Sequence, residues 1–246
     1  MIEILGDKSN GRTCPSADLT RNEKWMESLD SNLRMKDLVL PGIHHHGLVE
    51  GQCHYEGPIP GGKVLDWAVT QSLSVMDQLN TGARFLDIRL TKSNGRIYTA
   101  HGTDEKTITL GVAFDDLLAA NVRFLENKKG EFLVWTFQWE FVEADWSAVE
   151  VKLNQYKAEY FYTGENPLEQ PLSTLAKKII ICREGEANLV AYRTLDSSGS
   201  WPVTRDKDPT ILVKKIIEYA KHETDNFNYI EAVPTIDAEG VIDSIA

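Results

Sequence analysis

Short apolar, β-branched runs alternate along the chain with longer stretches whose apolar residues recur at helical spacing. The short runs predict seven strands, and the longer stretches predict five helices. Because strands that alternate with helices usually form a parallel sheet covered by those helices, the pattern predicts a mostly parallel α/β sheet. The predicted strands are "KDLVLPG", "RFLDIRL", "RIYTAH", "EFLVWTFQWE", "KKIIICRE", "NLVAYR" and "NFNYIEAV".

The predicted helices carry signals at their ends. Gly82 and Gly130 are predicted at helix C-caps, and Asp208 is predicted at an N-cap because Pro209 follows it. The helices are predicted over "RNEKWMESLD", "WAVTQSLSVMDQLNTG", "GVAFDDLLAANVRFLENKKG", "ADWSAVEVKLNQYKAEYF" and "DPTILVKKIIEYAKHE".

The first predicted strand is not followed by a glycine-rich phosphate loop of the GxGxxG or GxxxxGK[ST] type, which disfavours an open doubly wound sheet. We therefore predict a distorted TIM-type (βα) barrel that spans residues 1–246 as one domain. Active sites of such barrels lie at the C-terminal ends of the strands, where ionisable side chains gather and indicate an anionic substrate. These side chains belong to His44, Arg89, His101, Glu140 and Arg183.

The composition of the chain argues against some classes of function. The net charge of −11 argues against nucleic acid as a partner, because phosphate backbones favour clustered basic residues. No apolar stretch approaches the ~20 residues of a membrane span, and the segment after Met1 lacks the pattern of a signal peptide. We expect a secreted protein whose signal was removed before Met1, and a cytoplasmic location stays open as the alternative.

The three cysteines form no metal-binding or redox motif. Cys14 and Cys53 are candidates for a disulfide in an oxidising compartment, whereas Cys182 lies in an apolar run and is predicted in the core.

The strand "RFLDIRL" carries the clearest candidate chemistry. Side chains alternate along a strand, so Asp87 and Arg89 share one side with Phe85, while Leu86 and Ile88 face the other. The pair is either part of a catalytic site or a structural ion pair.

Three consecutive histidines raise the question of a metal. On an extended strand His44 and His46 would face one side and His45 the other, so the three could not reach one ion. Cys53, His54 or Asp87 could complete a site, but the spacing matches no zinc pattern. We therefore predict no metal ion and no other cofactor.

The blocks "MKDLVLPGIHHHG", "TQSLSVMDQLNTGARFLDIRL" and "RIYTAHG" resemble, in this order, the phosphatidylinositol-specific phospholipase C X-domain superfamily, with a likeness that extends over residues 25–235. The resemblance implies a TIM-type barrel, open or incomplete at its C-terminal end because the chain stops at "IDAEGVIDSIA".

The resemblance also implies roles. His44 matches the general base that takes a proton from the inositol 2-hydroxyl, and His101 matches the general acid that protonates the leaving glycerol oxygen. The products would be a cyclic inositol phosphate and diacylglycerol. Arg89 stands where calcium-dependent members have a second acid, which matches the metal-independent bacterial type, and Asp87 would orient a neighbouring group.

Two positions depart from the family pattern. His45 replaces an aspartate that supports the arginine, and His46 replaces a serine. A late-strand acid that orients the first histidine has only Asp237 as a candidate. The departures allow an active enzyme with an altered substrate, a weakened enzyme, or a member without catalysis.

Contacts to substrate are predicted from three further residues. Arg183 resembles an inositol-contacting arginine, Glu140 could bind a sugar hydroxyl, and Trp201 could insert at a lipid interface. Their alternatives are a surface cap, a solvated acid and a core aromatic. The expected partners are a phospholipid or another phosphodiester and, transiently, a membrane surface; we expect a monomer.

Two alternative functions remain. One is a phosphodiesterase of the glycerophosphodiesterase or sphingomyelinase D type that uses a divalent ion. The other is a non-catalytic protein that binds a phosphoinositide or a protein partner.

Overall fold

The computed structural model describes residues 23–57, 65, 68–102, 108–140, 143–183, 193–200, 214 and 227–230. Within these residues nine strands form one mixed sheet with helices packed against it. The strands are β1 (Gly42–Ile43), β2 (His54–Glu56), β3 (Phe85–Ser93), β4 (Arg96–His101), β5 (Ile108–Ala113), β6 (Leu133–Trp139), β7 (Ile179–Arg183), β8 (Arg193–Ser200) and β9 (Phe227–Ile230).

The described α-helices lie mainly between these strands. They are α1 (Val75–Asn80), α2 (Phe114–Asn127), α3 (Trp146–Asn154), α4 (Lys157–Tyr160) and α5 (Leu172–Leu175), and short 3₁₀ helices cover Trp25–Ser28, Met35–Asp37 and Pro167–Glu169.

The sheet is a distorted, open barrel. Its strand order is β2-β5-β4-β3-β6-β7-β8-β9, and β1 pairs with β3 beside this path. Among the described residues the two outermost strands, β2 and β9, do not pair with each other. The prediction of a distorted barrel that is open or incomplete is therefore confirmed for the described residues.

The predicted parallel arrangement holds for only part of the sheet. β1, β3, β6, β7, β8 and β9 run parallel, whereas β4, β5 and β2 form an antiparallel extension of β3. The cause is the tight turn after β3, where Asn94 and Gly95 both have positive φ and reverse the chain without a crossover helix.

The central strand β3 divides the core into two layers. Its outward side chains, Leu86, Ile88 and Leu90, pack with apolar residues of α2 and α3. Phe85, on the other face, packs with Val134 and the N-terminal 3₁₀ segments. Asp87 and Arg89 follow Phe85 on that inner face, as the alternation predicted.

Several predicted boundaries were wrong. Most of "KDLVLPG" is not a strand, because Met35–Asp37 turns as a 3₁₀ helix and only Gly42–Ile43 pairs with β3. The prediction from the sequence missed β2 and assigned the end of β5 to a helix. The helix in fact begins at Phe114, after Ala113, whose side chain provides no cap.

Some predicted helix ends agree with the structure and others do not. Gly82 follows the C-cap of α1 with a φ of +106°, which confirms its predicted role. Gly130 is not a cap, because α2 ends at Asn127 with Lys128 as its C-cap. The first predicted helix is only the 3₁₀ turn Trp25–Ser28, and the fourth divides into α3 and α4.

Some predictions fall outside the described residues. These are the caps at Asp208 and Pro209, the disulfide candidate Cys14, Trp201, Asp237, and most of "NLVAYR" and of the last predicted helix. Cys182 is fully buried in the core, as predicted. No helix in the described part of the chain is long and apolar enough to cross a bilayer.

Candidate active site

A gap along one edge of β3 creates the site. β1 pairs with β3 at Phe85 and Leu86, and β4 pairs with it from Leu90 onward. Asp87 and Arg89 lie between these two partners. The chain that leaves β1 fills the gap, and the backbone N–H of His46 donates to the Asp87 carbonyl at 2.7 Å.

A left-handed turn arranges the three histidines. His45 has a φ of +50° and Gly47 a φ of +109°, so the chain is not extended here. Glycine is required at position 47 because a Cβ there would lie 2.5 Å from the Thr99 Cγ2 atom. The turn therefore packs against β4, which carries His101.

The turn overturns the strand-based prediction about the histidines. The rings of His44 and His45 stack at 3.8 Å between centroids, on the same side of the chain. The ring of His46 instead enters the helical layer, where its two nitrogens lie 2.7 Å from Gln78 Oε1 and 3.2 Å from Asn121 Nδ2. Burial lowers the pKa of His46 to about 4, so it is a neutral, structural histidine.

One carboxylate oxygen of Asp87 contacts three other groups of the site. Asp87 Oδ2 lies 3.0 Å from His44 Nδ1 and accepts hydrogen bonds from Arg89 Nε at 3.2 Å and from the His45 backbone N–H at 3.3 Å. Burial alone would raise the pKa of Asp87, but the hydrogen bond from His44 and the charge of Arg89 outweigh burial and lower it. Asp87 is therefore a buried carboxylate that orients His44.

Arg89 contacts a second acid. Its Nη1 atom lies 3.6 Å from Glu140 Oε1, and both side chains are largely buried. Arg89 is thus contacted by one carboxylate from β3 and by another from the residue that follows β6. Burial raises the pKa of Glu140, and the charge of Arg89 opposes that rise.

His45 lies between the two candidate catalytic histidines. Its ring centroid is 3.8 Å from that of His44 and 4.3 Å from that of His101. The residue is 1% exposed, and neither ring nitrogen has a hydrogen-bond partner among the described residues. Burial, followed by the charges of Arg89, His44 and His101, lowers the pKa of His45 strongly, so the ring is neutral.

His101 faces the same space from β4. Burial is the main cause that lowers the pKa of His101 to about 4, and the charge of Arg89 adds to it. Because β4 runs antiparallel to β3, its C-terminal end carries His101 back toward the level of Asp87 and Arg89.

The structure brings most of the predicted site together. His44, His45, Asp87, Arg89, His101 and Glu140 form one cluster. Arg183 ends β7 beside Phe137, and its side chain is not among the described ones. Trp201 and the proposed support Asp237 lie outside the described residues.

Two residues near the site were missed by the sequence reading. Gln71 Nε2 donates to the His44 carbonyl at 2.6 Å and so holds the turn. Gln138 lies opposite Arg89 on the neighbouring strand, on the inner face. The alternation of β6 would have indicated Gln138, whereas no local pattern indicates Gln71.

Comparisons with known proteins place this cluster in context. No family model matches the chain. The chain is 29% identical over 164 residues to a 1-phosphatidylinositol phosphodiesterase of Listeria monocytogenes, a match that covers 65% of this chain and 47% of that protein. A protein of the same name from Staphylococcus aureus is 26% identical over 188 residues, with 72% and 56% covered.

Solved structures of proteins with the same kind of name share the fold of this chain. The phosphatidylinositol-specific phospholipase C of Listeria monocytogenes matches with a TM-score of 0.62 and 20% identity, covering 91% of this chain and 84% of that one. The F249X mutant of the Staphylococcus aureus enzyme gives 0.64 and 19%, with 86% and 77% covered. The comparisons confirm the resemblance to the bacterial type, although the chain spans only about half the length of the curated relatives it matches.

Proposed function

We propose that this chain, a relative of the bacterial phosphatidylinositol-specific phospholipases C, cleaves phosphatidylinositol-type lipids into a cyclic inositol phosphate and diacylglycerol without a metal ion. The contact between His44 Nδ1 and Asp87 Oδ2, at 3.0 Å, supports this proposal most directly. A carboxylate beside Nδ1 favours the tautomer whose proton lies on that nitrogen, and this tautomer presents Nε2 as the general base.

The proposed reaction is a proton relay around phosphorus. His44 Nε2 takes the proton of the inositol 2-hydroxyl, and that oxygen attacks the phosphorus. The bond from phosphorus to the glycerol oxygen breaks, and His101 donates a proton to this oxygen, which leaves as diacylglycerol. The pKa of His101, about 4 in the free protein, must rise on binding, and the negative phosphate favours that rise.

Arg89 is proposed to hold the phosphate. Asp87 and Glu140 contact its Nε and Nη1 atoms from two sides, so the guanidinium is held beside the candidate catalytic histidines, where its positive charge can offset the charge of a phosphate. Glu140 and Arg183 are proposed to contact inositol hydroxyls, and Trp201 to contact the lipid surface. A secreted, monomeric protein that touches the membrane transiently fits this substrate.

One observation favours a second function, binding without turnover. The ring of His45 occupies the space between His44 and His101, where a phosphate would have to lie during transfer. If His45 does not move aside, the barrel would bind a phosphoinositide headgroup at its mouth and leave it uncut.

Phosphorus NMR of the protein with phosphatidylinositol in detergent separates these functions. The run is made once with chelator and once with added calcium. A cyclic phosphate signal that survives chelator supports the proposal, and a signal that requires the ion supports a metal-dependent phosphodiesterase instead. No new signal under either condition, together with measurable binding of the lipid, supports the non-catalytic function.

A further inference from the structure

Several buried polar atoms at the site have no partner within the described chain. Both ring nitrogens of His45 and the Oδ1 atom of Asp87 lack hydrogen bonds, and both side chains are almost completely buried. A buried polar group without a partner costs about 1–3 kcal/mol. Such a group in a native protein calls for an explanation, and a catalytic role or a bound ion is one of those found.

The same residues are spaced as metal ligands. One nitrogen of His44, one of His45 and a carboxylate oxygen of Asp87 lie within 4.8 Å of one another. Zinc ligands stand about 2.0–2.2 Å from the ion in a tetrahedral arrangement, so two ligand atoms are roughly 3.3–3.6 Å apart. The three ligand atoms would therefore have to move closer together when an ion binds. His44 is 19% exposed, which leaves one side of the cluster open to a water ligand.

The turn geometry removes the earlier objection to a metal. That objection assumed an extended strand in which neighbouring histidines face opposite sides. In the structure His45 has a φ of +50°, and its ring lies on the same side as that of His44. The third ligand comes from β3, and neither Cys53 nor His54 belongs to the cluster.

We infer that His44, His45 and Asp87 form a binding site for a borderline divalent transition ion such as Zn²⁺. Two imidazoles and one carboxylate suit this class of ion. Calcium and magnesium prefer sites built from oxygen ligands, so the site selects against them. The ligand role of position 45 depends on the imidazole that replaces the family's aspartate.

Arg89 limits the affinity of this site. Its Nε atom donates to Asp87 Oδ2 at 3.2 Å, so a positive charge stands close to the ion. Glu140, 3.6 Å from Arg89 Nη1, offsets part of that charge. Asp87 Oδ1 remains available to the ion while Oδ2 keeps its bond to Arg89.

Occupation of the site would stop the proposed catalysis. An ion bound to His44 Nδ1 displaces the proton that this atom shares with Asp87. The ring then loses the hydrogen bond that orients its Nε2 toward the substrate. This inhibitory consequence rests on the proposed function, whereas binding of the ion does not.

Binding is tested without substrate. Zn²⁺ titrations by calorimetry compare the unaltered protein with His45→Ala, His45→Asn and His54→Ala, and melting curves verify that each variant is folded. We expect one tight equivalent in the unaltered protein, affinity weakened by more than about tenfold in both His45 variants, and no change in the control at the exposed His54. Equal affinity in the unaltered protein and in both His45 variants would overturn the inference.

Cobalt gives a spectroscopic test of the same ligands. Co²⁺ added to the unaltered protein should produce visible absorption bands of a site with nitrogen and oxygen ligands, and His45→Asn should abolish them. Bands that persist in His45→Asn would contradict the ligand assignment.

An activity arm separates the two proposals. Zn²⁺ should inhibit lipid cleavage over the concentrations at which it binds, and chelator should restore the rate. Zinc binding with no cleavage in chelator would contradict the proposed function and leave the metal site standing. Cleavage with no zinc binding would contradict the metal site and leave the proposed function standing.

Discussion

Two pairs of arginine and carboxylate lie along the β3 segment, and their buried charges differ in how many partners they have. The pair near the N-terminal end of β3 is called the lower end here, and the pair further along the strand is called the upper end. At the lower end Arg84 donates from Nε to Glu131 at 2.7 Å, and both side chains are fully buried. Every polar group there has several partners. Arg84 also donates to the carbonyls of Leu79, Ala83 and Glu23, and Glu131 accepts from the backbone of Met26 and Glu27.

At the upper end, the buried polar groups have fewer hydrogen-bond partners among the described residues. Asp87 shares one oxygen among three groups, and within the described part of the chain its other oxygen and the ring nitrogens of His45 have no hydrogen-bond partner. Burial raises the pKa of Glu131 even though Arg84 opposes the rise, whereas the contacts to Asp87 lower its pKa. The lower pair thus ties the N-terminal ends of β3 and β6 to the first 3₁₀ turn, and the upper group keeps bonding capacity for a ligand.

The largest effect is expected at the upper end. His44→Ala or His101→Ala should lower kcat/KM for phosphatidylinositol by about 10²–10⁴-fold, because each removes one proton-transfer group. The melting temperature should stay close to that of the unaltered protein. The phosphorus NMR assay measures the rate, with His54→Ala as the matched control. Full activity in either variant would refute the acid–base assignment.

The next largest effect belongs to the lower end. Arg84→Met should lower the free energy of unfolding by about 3–5 kcal/mol, because it leaves Glu131 buried without its counter-ion. Urea denaturation measures the change. Arg96→Met, which removes an exposed ion pair with Asp116, should change stability by less than about 1 kcal/mol. A similar loss in both variants would show that the comparison between buried and exposed pairs is wrong.

Asp87→Asn should affect both stability and activity. The depressed pKa of Asp87 means that its ionised form stabilises the fold above the ordinary pKa of 3.8, and that this stabilisation is lost as pH falls through the lower pKa of the folded state. We expect a loss of about 1.5–3 kcal/mol at pH 7. The difference between variant and parent should close at acid pH. Urea denaturation across this pH range measures it, and a gap that widens toward acid pH would contradict the assignment.

The smallest effect is a shift in titration. His101 should titrate near pH 4 in the free protein, because burial and Arg89 both lower its pKa. Removal of the charge by Arg89→Gln should raise that pKa, and the protonated acid form would then persist to higher pH. NMR titration of the His101 ring measures both values. An unchanged or lower pKa in Arg89→Gln would show that Arg89 does not act on His101.

The regular part of the barrel could be predicted from the sequence. "RFLDIRL", "EFLVWTFQWE" and "KKIIICRE" coincide with β3, β6 and β7 within a few residues, because apolar alternation and buried runs follow directly from strand geometry. The start of α1 was predicted too early, at Trp67, although the sequence carries a signal for the true start at Val75. Ser74 accepts a hydrogen bond from the Asp77 backbone, and a serine three residues before an acid is a capping signal.

The rest depended on tertiary contacts. Ala113 gives no cap signal, so the change from β5 to α2 is hidden in a continuous apolar run. The bond between His44 and Asp87 joins two segments that the sequence separates, as does the pair Arg84 and Glu131. The sequence indicated which groups gather at the mouth but not which of them touch.

The left-handed backbone at His45 has a consequence for how this site can change over generations. Few residues other than glycine adopt a φ near +50°, and asparagine, aspartate and histidine are the side chains most often found there. The backbone thus admits a short set of side chains at this position. Aspartate and histidine both belong to it, so a lineage can exchange a carboxylate for an imidazole at the centre of the site by one substitution and keep the same turn.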